Sequence, residues 1–127
     1  MNASKGEVTV LVVDDDEDIR LAMSDTLEAE GYAVLLAENG LDALAKLRAS
    51  SALPNLILLD LMMPKMDGWG FCAAQRQDAA LAPIPVVIVS ADSRVTQKAA
   101  ELGVAGSLAK PVRVADLVAA IERFSQR

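Results

Sequence analysis

The stretch Leu56-Ile57-Leu58-Leu59-Asp60 constrains this chain more than any other. Four apolar residues run unbroken into a carboxylate, and the turn residues Pro64, Asp67 and Gly68 follow. A short apolar run closed by turn signals reads as a strand covered on both faces, the kind found inside a parallel sheet. In open α/β sheets the working groups sit just past the carboxyl ends of the strands, and Asp60 stands at such an end. A carboxylate at the edge of an apolar core is costly unless a cation or hydrogen bonds compensate it. The chemistry of the chain therefore turns on what compensates Asp60.

The same pattern recurs along the sequence. Val8–Val13 is a β-branched apolar run that stops at Asp14-Asp15-Asp16. A helix is expected from Glu17 to Glu30, with Ile19, Leu21, Met23 and Leu27 as its apolar positions and Gly31 as its stop. Tyr32–Leu36 reads as strand two, closed by Asn39-Gly40. Leu41, Leu44 and Leu47 mark a short helix ending near Ser50 and Ser51. After strand three, Trp69–Gln77 can form a helix that Gly70 weakens. Val86–Val89 is strand four and closes at Ser90-Ala91. A helix over Ser93–Leu102 is capped by Gly103. Strand five lies near Ser107-Leu108-Ala109 and ends at Lys110-Pro111. The last helix covers Val114–Phe124, with Leu117, Val118, Ile121 and Phe124 on one face.

Five β–α units in succession imply an α/β fold: a parallel sheet with helices on both sides and right-handed crossovers. A chain of 127 residues with no repeat or linker is expected to be one domain over 1–127, with its core at about 8–125 and no output domain. Aromatics make up only 3%, so Val, Leu, Ile, Ala and Met must fill that core.

Charge and composition exclude several functions. A net charge of −6 and a pI of about 4.5 argue against direct nucleic-acid binding, which needs clustered Lys and Arg. The single cysteine, Cys72, cannot form an internal disulfide and fits a reducing cytoplasm; it reads as a buried hydrophobe in a helix. No histidine is present, which removes the commonest general base and metal ligand. No apolar run approaches the ~18 residues needed to cross a bilayer, and residues 1–7 lack the apolar stretch of a signal peptide. A cytoplasmic protein with no membrane association is expected.

Four strands end in a residue with usable chemistry: Asp14-Asp15, Asp60, Ser90 and Lys110. The topology brings these ends to one sheet edge, collecting carboxylates, a hydroxyl and an ammonium. Two unit charges ~4 Å apart at an effective dielectric of ~20 cost about 4 kcal/mol. Lys110 relieves part of this, and a hard divalent cation relieves more; all-oxygen ligands with open positions suit Mg²⁺. A carboxylate so placed can act as a nucleophile toward phosphorus, with Mg²⁺, Lys110 and Ser90 stabilising charge on the transferring phosphoryl oxygens.

The residues Val12-Val13-Asp14-Asp15, Leu58-Leu59-Asp60-Leu61-Met62-Met63-Pro64, Asp67-Gly68, Val89-Ser90-Ala91 and Lys110-Pro111 together resemble a response-regulator receiver domain of two-component signalling, over nearly the whole chain. The resemblance implies a flavodoxin-like doubly wound five-stranded sheet of order 2-1-3-4-5 with five helices. It implies that Asp60 accepts a phosphoryl group from phosphohistidine on a sensor histidine kinase or a histidine phosphotransfer protein. Such a domain phosphorylates and dephosphorylates only itself and is otherwise no enzyme. By position Asp15 is a direct Mg²⁺ ligand, Asp14 holds metal-bound water, and the Met62 backbone carbonyl completes the site with Asp60. Ser90 and Lys110 would meet the phosphoryl group, and Lys110-Pro111 would be cis. The output would be an unnamed downstream protein on the helix 4–strand 5–helix 5 face. The chain departs from the family at Ser107, where an aromatic ring commonly rotates with the switch, and at Lys65, where Gly is common. Met62 and Asp92 flank the phosphoryl site in the family and tune dephosphorylation.

Plainer readings and rival functions have their own signals. Asp16, Glu17 and Asp18 read as an acidic N-terminal cluster favoured by the helix dipole. Arg94 and Lys98 read as a solvated helix face, and Trp69 as a packing residue. Asp14-x-Asp16 after a strand also resembles the haloacid-dehalogenase phosphatases, but that reading leaves Asp60 unexplained and the chain has no room for a cap. The spacing Asp14, Asp16, Asp18 fails as an EF-hand, because Ile19 sits where Gly is required and Asp25 where a bidentate Glu belongs. A phosphorylation-independent interaction module is the remaining alternative.

Overall fold

The computed structural model describes residues 8–61, 63 and 66–125. The order of elements is β1 (Thr9–Val13), α1 (Glu17–Ala29), β2 (Ala33–Ala37), α2 (Gly40–Ala49), β3 (Leu56–Asp60), α3 (Gly68–Gln77), β4 (Val86–Ser90), α4 (Val95–Leu102), β5 (Gly106–Ala109) and α5 (Val114–Phe124). All strand pairs are parallel, in the order β2-β1-β3-β4-β5. This is the flavodoxin-like arrangement that the sequence led us to expect.

Side-chain alternation along the strands divides the core into two layers. Leu11, Ile57, Leu59 and Ile88 face α2, α3 and α4, where they meet Leu44, Phe71 and Val95. Val10, Val12, Leu56, Leu58 and Val87 face α1 and α5, where they meet Leu27, Leu117 and Ile121. Every residue of β3 and β4 is buried, as continuous apolar runs require. The edge strands are more open: β2 leaves Leu35 exposed, and β5 has no fully buried residue. Gly106 of β5 lies under the Phe124 ring, and a Cβ there would come within 2.8 Å of it.

Three helices start on side-chain caps just after a strand. Asp16 accepts from the Ile19 N–H at 3.2 Å, Asn39 from Asp42 at 2.8 Å and Asp67 from Gly70 at 2.9 Å. The acidic start of α1 is thus a cap with Glu17 and Asp18 in the first turn, as read from the sequence. At the far end of α3, the buried Gln75 carboxamide donates to the carbonyls of Leu81 and Ile84, at 3.0 and 2.9 Å. Gly103 closes α4 in the left-handed region, at φ +69°.

Some expectations need correction. Leu21 is 50% exposed and Leu41 51% exposed, so neither belongs to the buried face of its helix. Residues two apart do not share a helix face, so Ile19-x-Leu21-x-Met23 could not all point inward. The buried position on that side is Ser24, whose hydroxyl donates to Glu28 Oε1 at 2.7 Å. Helix α4 starts at Val95 rather than Ser93, because the Asp92 carboxylate accepts the Arg94 N–H at 2.8 Å and folds 92–94 into a turn.

Candidate phosphoryl and metal site

The strand ends do converge. Asp14 follows β1, Asp60 closes β3, Ser90 closes β4 and Lys110 follows β5. Carboxylate oxygens of Asp14, Asp15 and Asp60 lie within 4.8 Å of one another. Asp14, Asp60 and Ser90 are buried, at 3%, 6% and 3% exposure, whereas Asp15 is exposed. The Lys110 ammonium stands 3.1 Å from Asp14 Oδ2 and 3.6 Å from Asp60 Oδ2. Burial alone would depress the Lys110 pKa, but the hydrogen bond to Asp14 and the charges of Asp14 and Asp60 outweigh it and raise the pKa above its ordinary value.

Local hydrogen bonds fix this geometry. Asp14 Oδ1 accepts the Asp16 N–H at 2.9 Å, and the Asp14 carbonyl accepts from Arg20 Nη1 at 2.8 Å. Lys110 is held at the site by its own N–H, which donates to the Ser90 carbonyl at 2.9 Å, and the Lys110-Pro111 bond is cis. The β3–α3 connection closes through Gly68 N–H to the Leu61 carbonyl at 3.0 Å, and it reaches α2 through Gly40 N–H to the Met66 carbonyl at 3.0 Å. Backbone comes so close at Gly68 that a Cβ would stand 2.9 Å from Leu61 Cα. Met62, Pro64 and Lys65 lie outside the described residues, so the expected Met62 carbonyl ligand does too.

Beside this cluster, Ser90 Oγ accepts the Asp92 N–H at 3.1 Å. Ser107 Oγ donates to Thr96 Oγ1 at 3.5 Å, which ties β5 to α4 only loosely. Lys98 is not the solvated residue expected: its side chain is 18% exposed and its ammonium lies 2.7 Å from Asp92 Oδ2. Arg94, 68% exposed, does fit that description. Trp69, half in solvent, lies under Lys98 with 5.4 Å from ammonium to ring centroid. Two residues escaped the sequence reading altogether as site neighbours, Arg20 and Lys98. Arg20 had a signal: it is four residues after the cap Asp16, which places it over the β1–α1 turn.

The family model for the response regulator receiver domain matches residues 10–122. The chain belongs to this family. The receiver is 34% identical over 125 residues to protein PilG of Pseudomonas aeruginosa, covering 96% of this chain and 90% of that one. It is 35% identical over 120 residues to the probable transcriptional regulator ycf27 of Porphyridium aerugineum, covering 93% of this chain and 48% of that one. The receiver thus spans about half the length of several curated relatives that it matches. The solved structure of the chemotaxis protein CheY4 of Vibrio cholerae superposes with a TM-score of 0.82 at 31% identity, covering 92% of this chain and 98% of that one. Receiver domains are signalling modules rather than classical enzymes; their general role is to take a phosphoryl group from a histidine kinase, and they bind Mg²⁺ at an acidic pocket. Among the described residues no helix is long and apolar enough to cross a membrane.

Proposed function

We propose that this receiver takes a phosphoryl group onto Asp60 from phosphohistidine on a sensor histidine kinase or a histidine phosphotransfer protein. The observation that carries the reading is the place of Asp60. It is buried, 3.6 Å from the Lys110 ammonium, and clustered with two further carboxylates. The donor set fits a hard cation: the carboxylates supply oxygen only, from two buried residues and one exposed. Asp15 and Asp60 would hold Mg²⁺ directly and Asp14 through metal-bound water, with the Met62 carbonyl completing the set, as the family resemblance implies. Bound there, Mg²⁺ supplies positive charge against the carboxylates and the incoming phosphoryl oxygens.

The protein's own residues do the rest. An Asp60 carboxylate oxygen attacks phosphorus while the phosphorus–nitrogen bond of the donor breaks, and the partner's imidazole leaves with the electron pair. The product is an acyl phosphate on Asp60. Lys110 pairs with the phosphoryl oxygens, and Ser90 donates its hydroxyl proton to one of them. Water later cleaves the acyl phosphate, so the chain dephosphorylates itself. Phosphorylation adds nearly two negative charges. It draws Ser90 and Lys110 inward, shifts the loops before α3 and α4, and biases an existing equilibrium at the α4–β5–α5 face, where a downstream protein binds. This switch works in the cytoplasm, without direct contact to nucleic acid or membrane.

The test is labelling with a small acyl phosphate donor and Mg²⁺. The expected result is one hydroxylamine-sensitive phosphoryl group on the wild type and none on Asp60→Asn. Normal labelling of that variant, or an unlabelled wild type, overturns the assignment and favours an interaction module that works without phosphate. Sustained turnover of phosphate esters would instead favour the phosphatase reading.

A further inference from the structure

Lys98 is the least expected residue near the site. A lysine on a helix surface usually keeps its ammonium in water, but this one is withdrawn against two partners, a carboxylate at 2.7 Å and the Trp69 ring at 5.4 Å. Withdrawing an ammonium is unfavourable unless a counter-charge or a π face compensates it, and Lys98 has both. The carboxylate is Asp92, whose other oxygen holds the Arg94 N–H. That pair of bonds shapes the turn that aims the Asp92 N–H at Ser90 Oγ.

A serine hydroxyl has one proton to give and can accept two bonds. Because Ser90 Oγ accepts from Asp92, its position is set from outside the site and its proton remains available for donation. We propose that Lys98 is a positioning residue for Ser90, and that the contacts Ser90–Asp92–Lys98–Trp69 carry the state of the site to α3. This inference rests on the phosphoacceptor reading above and adds a route to it. Ser107 has no ring to turn, and its tie to α4 is a single long hydroxyl contact. The lateral path through Lys98 runs instead over a backbone N–H bond of 3.1 Å from Asp92 to Ser90, a charge-assisted bond of 2.7 Å from Lys98 to Asp92 that cannot lengthen without loss, and the ring contact at 5.4 Å. When Ser90 moves toward a phosphoryl oxygen, the Asp92 turn follows, and the ammonium is drawn across the Trp69 ring. The depressed Asp92 pKa, about 2, keeps this carboxylate ionised over the whole physiological range.

Trp69 is the single tryptophan of the chain, so its emission needs no assignment. The experiment loads wild type, Lys98→Met, Lys98→Arg and Asp92→Asn with a small acyl phosphate and Mg²⁺. Loading is followed by intact mass and Trp69 emission is compared before and after loading within each protein. The expected result is an emission change on loading in the wild type, no change in the loaded Met and Asn variants, and severalfold slower loading in both. Lys98→Arg, which keeps charge and ring contact, restores rate and signal. A loaded wild type with silent Trp69, or a Met variant with wild-type rate and signal, overturns this inference alone. A wild type that never loads overturns the phosphoacceptor reading and this inference with it.

Discussion

Lys110 Nζ lies 3.1 Å from Asp14 Oδ2, although 96 residues separate the two in the chain. The contact joins the ends of β1 and β5, which do not neighbour each other in the sheet. Lys110→Met should cost about 2–3 kcal/mol, because it leaves buried carboxylates without their cation; the 22% exposure of the lysine keeps the loss from being larger. Urea denaturation without metal measures this.

Mg²⁺ should act in the same direction as Lys110. At ten times its Kd it should stabilise the folded protein by about 1.4 kcal/mol, seen as a higher Tm. At one fixed Mg²⁺ concentration the gain should be greater in Lys110→Met, where carboxylate repulsion is less relieved and the metal binds more tightly. An equal or smaller gain in the variant would mean that metal and lysine answer to different charges.

Asp92 gives a pH signature. Its pKa falls from 3.8 to about 2, first through the Lys98 ammonium and then through the Arg94 N–H. A depressed acid stabilises the fold above its unfolded pKa and loses that contribution as pH falls through its folded pKa. The stability gap between wild type and Asp92→Asn should therefore be constant above 3.8 and should close toward pH 2. A gap that survives at still lower pH would show that charge is not its source.

Two glycines of α3 should respond oppositely to alanine. A Cβ at Gly68 meets the Leu61 backbone at 2.9 Å and the Asp60 carbonyl at 3.2 Å. Gly68→Ala should lose about 1–3 kcal/mol and slow Asp60 labelling, since the strain falls on Asp60 itself. At Gly70 the nearest obstacle is the movable Met66 Cγ at 3.2 Å. Gly70→Ala should be neutral or gain up to about 1 kcal/mol from helix propensity. Melting curves of the pair decide both.

Burial pushes the Cys72 thiol above its ordinary 9.0, against a small opposing effect of Arg76. Native protein should resist a thiol reagent in mildly alkaline buffer and react fully once denatured. Rapid labelling of the folded state would show that the α3 packing opens locally.

The carboxyl-edge cluster was legible because three signals coincide at each strand end: an apolar run, a polar residue and a turn. β3 and β4 were plain for that reason, and β5 was faint because an edge strand of four residues needs little burial. Leu21 departs from what its apolar identity suggests because, two positions from both Ile19 and Met23, it falls on the solvent side of the helix. Lys98 reads from sequence as a solvated lysine because its setting depends on Asp92 and Trp69, which reach it only through the tertiary fold. The Phe124 ring over Gly106 is the same kind of contact, one visible only when α5 lies against β5.

The Gln75 carboxamide spends both of its N–H donors on the segment leading into β4. The end of α3 remote from the acidic cluster is thereby pegged to the sheet. With the Gly68 N–H bonded to the Leu61 carbonyl at the other end, the helix that carries the indole is tied down at both of its termini, so a change at Asp60 reaches it through backbone rather than through a loose tether.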